Sequence, residues 1–262
     1  MRLVVCIKQV PDTSSVKIDP VTHTLVREGV ESIMNPLDAL ALEQALRMKD
    51  RRGAEVIALS MGLPQAEAVL REALAAGADR AALVTSRAFA GADTLATSYA
   101  LSCAIRTVCG GECPEIVLFG KQAIDGDTAQ VGPEVSALLG CALAPYVRSL
   151  DDVSNGSFRA TGEDPSGAAV TVEGRLPAVV TVGGKAPPLR FASLRRTMEA
   201  MRLPIARLDN VKIGAEPGRI GLKGSPTRVV STQAVSISRS GRRIAWSEDG
   251  GRLQREVMEA LA

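Results

Sequence analysis

The sequence predicts an α/β fold: a doubly wound parallel sheet with edge strands and an extended C-terminal arm. Three observations predict it. Short, continuous apolar runs at Leu3–Ile7, Glu55–Met61 and Ile116–Phe119 have the composition of strands buried on both faces. Between them lie segments with helical apolar spacing that stop at Gly53, Gly77 and Gly110. Strand and helix alternate through the first half of the chain, as in successive βαβ units.

Each element has its own signal. Leu3–Ile7 is a buried strand that Pro11 ends, within KQVPDT at Lys8–Thr13. Val16–Arg27 alternates apolar and polar residues about Pro20, as a hairpin does. Asn35 is a good helix cap and Pro36 a good first helical residue. Leu40, Leu42, Ala45, Leu46 and Met48 supply the helix's apolar face. Glu55–Met61 is the second strand and Gln65–Ala76 the second helix. Arg80–Thr85 is the third strand, and Asp93 or Thr94 caps a helix over Leu95–Val108. Ile116–Phe119 is the fourth strand. An apolar helical pattern follows at Val135–Leu139.

After Pro145 the character changes. Tyr146–Leu150, Ala168–Val172 and Ala178–Val182 are short and β-branched, and are read as edge strands. Ser154–Gly167 is a hairpin or a loop. Residues 186–203 are entered through prolines and become a basic helix, with Arg195, Arg196 and Arg202 on a solvated face. From Ile205 no core-like pattern recurs before an amphipathic helix at Leu253–Leu261. Gly221–Val230 reads as an extended arm that needs a partner to order it. The expected division is a nucleotide-binding α/β domain over 1–204 and a C-terminal arm and helix over 205–262.

Bulk properties exclude several functions. The 262 residues are 46% hydrophobic, enough for a core without staples. With 31 basic against 29 acidic residues and 3% aromatics, there is neither a charged face nor a set of stacking rings for nucleic acid. Five cysteines without a C-x-x-C pair fit a reducing compartment. Cys109 and Cys113 lack a second ligand pair, and the one histidine, His23, sits in a polar turn, so no zinc site is expected. The N-terminal apolar run is too short for a signal peptide, and no run reaches the ~18 residues of a membrane span. A soluble, cytoplasmic chain is expected.

The chemistry concentrates in one stretch, VLFGKQAIDGDTAQVGP at Val117–Pro133. A strand turns at Gly120, presents Lys121, Gln122, Asp125, Gly126, Asp127, Thr128 and Gln130, and enters a helix past Gly132. Loops at the carboxyl ends of parallel strands face a crevice, and a helix start offers free N–H groups to phosphate. Asp125 and Asp127 are either paired carboxylates for acid–base work or local hydrogen-bond acceptors. There is no G-x-x-x-x-G-K-[ST] and no G-x-G-x-x-G after the first strand. The strand ends at Cys6 and Met61 and the helix start at Asn35 meet this loop at one sheet edge, although Met61 and Cys103 also suit a core.

Gly120–Pro133 resembles the signature loop of the electron-transfer flavoprotein β subunit. VVCIKQVPDT (Val4–Thr13), NPLDALALEQAL (Asn35–Leu46), LREALAAGAD (Leu70–Asp79) and GLKGSPTRVV (Gly221–Val230) resemble the same family in the same order. The resemblance implies an adenine-nucleotide α-hydrolase-like fold and a heterodimer with an α subunit that carries FAD. It implies a nucleotide held by Cys6, by Asn35, Pro36, Leu37 and Asp38, and by Met61. The wrapping loop would be Gly120, Lys121, Gln122, Ala123, Ile124, Asp125, Gly126, Asp127, Thr128, Ala129, Gln130 and Val131, with Gln122 and Thr128 bonding phosphate or ribose.

In the family's respiratory branch the nucleotide is a structural AMP, and electrons pass only through the α-subunit FAD. In its bifurcating branch the nucleotide is a second FAD that takes hydride from NADH. One electron then goes to ferredoxin or flavodoxin and the other, through the α subunit, to an acyl-CoA dehydrogenase or quinone reductase. DGDTAQVGP and the segment Phe89–Ser98 resemble the bifurcating forms, and small residues at Gly126, Gly91 and Ala92 leave room beyond an AMP moiety. FAD is therefore expected, with its flavin towards Asp93 and Thr94. Leu194 matches the family's dehydrogenase-docking leucine. The family's E-P-R-Y is here Pro188-Leu189-Arg190-Phe191, which leaves the acceptor open. The arm after Gly221 is expected to embrace the α subunit. A stand-alone nucleotide-binding module is the remaining alternative, and that arm argues against it.

Overall fold

The computed structural model describes residues 1–12, 17–18, 25–26, 31–164, 166–228 and 258. Met1–Arg228 forms one compact unit. The expected helix at Leu253–Leu261 lies outside the described residues, Met258 excepted. So do His23, Thr13 and the arm beyond Arg228.

Strand β1 (Arg2–Cys6) is followed by β2 (Gln9–Pro11) and by the two short strands β3 (Lys17–Ile18) and β4 (Leu25–Val26), which pair antiparallel within the expected hairpin. The rest of that hairpin is outside the described residues. β5 (Ser32–Met34) returns antiparallel to β2 and leads into α1 (Pro36–Arg52). The chain continues through β6 (Glu55–Met61), α2 (Glu67–Ala76), β7 (Arg80–Val84), α3 (Thr94–Val108), β8 (Ile116–Gly120) and α4 (Val131–Leu139). Then come β9 (Ala142–Val147), β10 (Ser149–Ser154), β11 (Ser157–Glu163), β12 (Ala169–Arg175), β13 (Ala178–Val182), α5 (Leu194–Ala200), β14 (Ile205–Leu208) and α6 (Gly221–Gly224).

Seven strands form one parallel sheet in the order β14-β7-β6-β1-β8-β13-β9. This is the doubly wound α/β fold. The period-2 alternation of each strand divides the core between the two faces. Leu3, Val5, Val56, Ala58, Ile116 and Leu118 pack on the side of α1 and α2. Val4, Cys6, Ile57, Leu59, Val117 and Phe119 pack on the side of α3 and α4. The winding reverses between β1 and β8, so a crevice opens at their carboxyl ends.

Four expectations need correction. Ala178–Val182 is not an edge strand: β13 is fully buried, between β8 and β9. Its unbroken apolar sequence is the mark of a central parallel strand, and the edge is β9. Of the two readings of Ser154–Gly167, hairpin or disordered loop, the loop is wrong, and the antiparallel pairing extends to a third strand. β11 is the middle strand of a second, antiparallel sheet β10-β11-β12, whose Leu150, Val153, Phe158 and Ala160 join the core beside α1. Ile205–Leu208 is the other edge of the main sheet, paired with β7 from Ile205↔Ala81 to Leu208↔Val84. The compact unit thus runs past the expected boundary at residue 204. Finally, the arm does not begin extended: Gly221–Gly224 is a helical turn packed near α3, with the Leu222 N–H donating to Ala90 O at 3.1 Å.

Candidate functional site

The crevice at the reversal point is a cleft of about 830 Å³. Its size lies within the range of cofactor and ligand sites. The end of β1 supplies Cys6, Ile7 and Lys8, β6 supplies Leu59 and Met61, and β7 supplies Val84 and the following Thr85–Arg87. The start of α3 supplies Asp93, Thr94, Thr97 and Leu101. The loop after β8 supplies Gly120–Ala123 and Gly126–Gly132.

Most of the expected residues meet here: Cys6, Asp38, Met61, Asp93, Thr94, Gly120, Lys121, Gln122, Ala123 and Gly126 to Val131. Asn35, Pro36, Leu37, Ile124 and Asp125 do not line the cleft. Asn35 is fully buried and braces the wall from behind. Its Nδ2 donates to Gln122 O at 2.9 Å, and its Oδ1 accepts from the Ile124 N–H at 3.2 Å. Its own N–H donates to Lys8 O at 2.9 Å. The side chain expected to cap α1 makes no cap bond there, because it is committed to the loop. Asp125 pairs with the Lys8 ammonium at 2.7 Å.

Asp38 completes the brace. Its carboxylate accepts from the Lys8 N–H at 2.8 Å and the Gly120 N–H at 2.9 Å, tying together the ends of β1 and β8. Gly120 permits this approach, since a Cβ there would lie 2.5 Å from Asp38 Oδ1 and 2.6 Å from the Leu37 carbonyl carbon. Burial drives the Asp38 carboxyl up, and the Lys8, Asn35 and Gly120 contacts pull it back, leaving it at about 7. Burial, with Asp38 beside it, also pushes the Cys6 thiol well up, so Cys6 stays protonated as a wall residue.

The loop closes on itself. The Asp127 N–H donates to Ala123 O at 2.9 Å, and Gln122 Nε2 donates to Asp127 Oδ1. Asp127 and Ala129 both stand at φ 54°, a left-handed conformation that costs a non-glycine residue about 1–2 kcal/mol. The geometry thus favours local bonding over acid–base work for Asp125 and Asp127. At Val131 and Gly132 the start of α4 opens on the cleft, and the N–H groups of a first helical turn favour anions. Gly132 sits so close to β13 that a Cβ would lie 2.6 Å from Thr181 Cγ2. Lys121 adds a positive charge at the rim, its ammonium 5.1 Å from the Tyr146 ring centroid.

The opposite wall is fixed differently. Asp93 caps α3 by accepting from the Ala96 N–H at 3.0 Å, and its other oxygen accepts from Thr227 N–H at 3.0 Å and Oγ1 at 2.9 Å. Its own N–H donates to Ser225 Oγ at 2.8 Å. Burial raises the Asp93 carboxyl, but the Ala96 and Thr227 donors outweigh it and hold the group below its ordinary range. Thr94 Oγ1 and Ser98 Oγ bond Glu134, at 3.1 and 2.7 Å, and so join α3 to α4.

The donors at one end suit phosphate and ribose, and the apolar strand ends suit a flat ring. A domain model for the electron transfer flavoprotein matches residues 22–212. The chain is 47% identical over 267 residues to the electron transfer flavoprotein subunit beta of Megasphaera elsdenii, covering 100% of this chain and 98% of that protein. This chain belongs to the electron transfer flavoprotein family, as a β subunit. It is also 45% identical to Protein FixA of Azotobacter vinelandii, over 92% of this chain and 86% of that one. It is 44% identical to the electron transfer flavoprotein subunit beta of Clostridium acetobutylicum, over 92% and 91%. The family role is that of an electron carrier.

Several residues of the β subunit's cleft escape motif reading. Thr97 and Leu101 follow Thr94 on one face of α3 at helical spacing, a signal the sequence does carry. Thr85–Arg87 and Leu63 are placed there only by strand order. Leu194, in the first turn of α5, is 78% exposed, and Phe191, Met198 and Met201 are exposed around it. Among the described residues no cluster could hold a metal ion, and no helix is long and apolar enough to cross a membrane.

Proposed function

We propose that this β subunit binds FAD in the cleft, as one half of a heterodimer with an electron-transfer flavoprotein α subunit. The observation that carries the reading is the cleft's continuity. It runs from Cys6 and Met61, past the start of α4, to Thr94, Thr97 and Leu101. A mononucleotide seated at the strand ends would leave the α3 end empty.

The chain's residues fit that group. Leu59, Met61 and Val84 offer an apolar bed for an adenine, and the start of α4 with Thr128 and Gln130 offers donors to phosphates. Ala92, Thr94 and Thr97 line the α3 end, where a second ring system would lie; the space beside Gly91 is filled by Leu222. The buried Asn35–Asp38 brace holds the phosphate loop in place before any ligand arrives, which lowers the ordering cost of binding. FAD held here supplies hydride acceptance from NADH and one-electron delivery to ferredoxin or flavodoxin and, by way of the α-subunit FAD, to an acyl-CoA dehydrogenase or quinone reductase. The exposed Leu194, flanked by Phe191 and Met198, is the proposed docking contact for that last acceptor.

Anaerobic titration of the purified heterodimer with NADH tests this reading. Bleaching of flavin absorbance by NADH alone is expected. A complex that NADH leaves oxidised, while a reduced acyl-CoA dehydrogenase reduces it, contradicts the proposal and favours a structural AMP in the cleft.

A further inference from the structure

At the other end of the parallel strands from the cleft, two thiols meet. Cys113 precedes β8 and Cys141 follows α4, and their sulfurs lie 3.4 Å apart as free cysteines. Both side chains are partly exposed, so small oxidants reach them. We propose that Cys113 and Cys141 form a redox site that closes to a disulfide on exchange with a low-molecular-weight disulfide and reopens with thiol.

The two sides of the pair are held differently. Cys141 is fixed: its N–H donates to Ser136 O at 3.0 Å, its carbonyl accepts from Ser136 Oγ at 2.9 Å, and Gly140 before it ends α4 in a left-handed turn. Cys113 closes a glycine turn in which Gly110 and Gly111 both have positive φ and open space around their Cα atoms. Bringing the sulfurs from 3.4 Å to the ~2.05 Å of a bond asks for an adjustment that this turn can supply.

The chemistry has a direction. Either thiol can donate across this contact; with Cys141 as donor, the bond, helped by the Arg106 guanidinium, lowers the Cys113 thiol to about 7. The same contact pushes Cys141 up. Cys113 is therefore the attacking thiolate. It attacks one sulfur of the small disulfide, forming a mixed disulfide and releasing a first thiolate. Cys141 then loses its proton to water and attacks the Cys113 sulfur, releasing a second thiolate. Two protein thiols are oxidised, one small disulfide is reduced to two thiols, and the two protons are conserved.

The covalent ring so formed encloses β8, the cleft loop and α4, since its ends are 28 residues apart. Oxidation thus staples both ends of the segment that forms one wall of the cleft.

The test equilibrates the full chain, purified with its partner subunit, in glutathione buffers from fully reduced to fully oxidised. It then alkylates free thiols and maps peptides by mass. Reduced protein takes up five labels. Oxidised protein is expected to take up three, with one cross-linked peptide joining Cys113 to Cys141, and thiol restores the five. In the oxidised buffers C113S is expected to retain its four labels without an internal cross-link, and C141S to take up three, with glutathione trapped on Cys113. Thermal unfolding of the oxidised wild type should shift upward, and that of C141S should not. Five labels at every poise, a cross-link through another cysteine, or a stable glutathione adduct on wild-type Cys113 overturns the proposal.

Discussion

The two walls of the cleft use the same kind of bond in opposite settings. The β8 wall is tied down by Asn35 and Asp38, 0% and 6% exposed, whose side chains reach two backbone groups of the loop, the Gly120 N–H that ends β8 and the Lys8 N–H just past β1. The α3 wall is tied by Asp93 to Ser225 and Thr227, at the surface and from a segment more than a hundred residues away in sequence. A hydrogen bond to a buried polar group is costly to lose, because the orphaned partner stays dry, whereas water replaces a lost surface partner. The β8 wall is therefore anchored from the folded core, through Asn35 and Asp38, and the α3 wall is held by a latch.

The sharpest way to break this contrast is Asn35→Ala. It strands the Ile124 N–H and the Gln122 carbonyl, and should cost about 3 kcal/mol in thermal or denaturant unfolding. A loss no larger than that of a surface substitution would remove the distinction.

Asp38 gives the next test, through pH. Its carboxyl is raised in the folded protein to about 7, from an unfolded value near 4. Between about pH 4 and 7 the unfolded chain has released a proton that the folded chain still holds. Asp38 therefore makes stability fall as pH rises through this window, by at most about 1.4 kcal/mol per unit. Asp38→Asn removes this contribution. It also sets an amide N–H against a backbone donor and lowers the whole curve. The change in slope is the readout, and an unchanged slope would show that Asp38 does not titrate there.

For the α3 wall, Asp93→Ala should cost about 1 kcal/mol, the worth of a helix cap. Amide exchange of Thr227 should speed up while that of Ile124 does not change. If both speed up, the walls are not independent.

The smallest effect on stability is expected from Gly126→Asp, within about 0.5 kcal/mol, since a Cβ there meets no atom within 4 Å. Its consequence is for ligands: affinity for FAD should fall more than affinity for AMP. Equal changes in the two would count against a dinucleotide lying along this loop.

The contrast also marks what the sequence discloses. The β8 wall is legible because it is local. A buried strand, a glycine and a polar run precede a helix in one continuous stretch, and Gly120 to Val131 do surround the cleft apart from Ile124 and Asp125. The direction in which Asn35 faces is not legible. N-cap propensity reports a local preference, and the tertiary demand of the Gln122 carbonyl overrides it. Ala178–Val182 reads as an edge strand because Pro177 and short length resemble an edge signal, while its neighbours β8 and β9 lie far away in sequence. The latch at Ser225–Thr227 lies in GLKGSPTRVV, which reads as an arm ordered by a partner; that it bonds Asp93 of the same chain is not legible, since the two are 134 residues apart.

The proposed function rests on FAD in the cleft. Acid extraction of the purified heterodimer, with flavin and nucleotide quantified against protein, tests it most directly. Two FAD per heterodimer and no AMP are expected. One FAD accompanied by one AMP would contradict it.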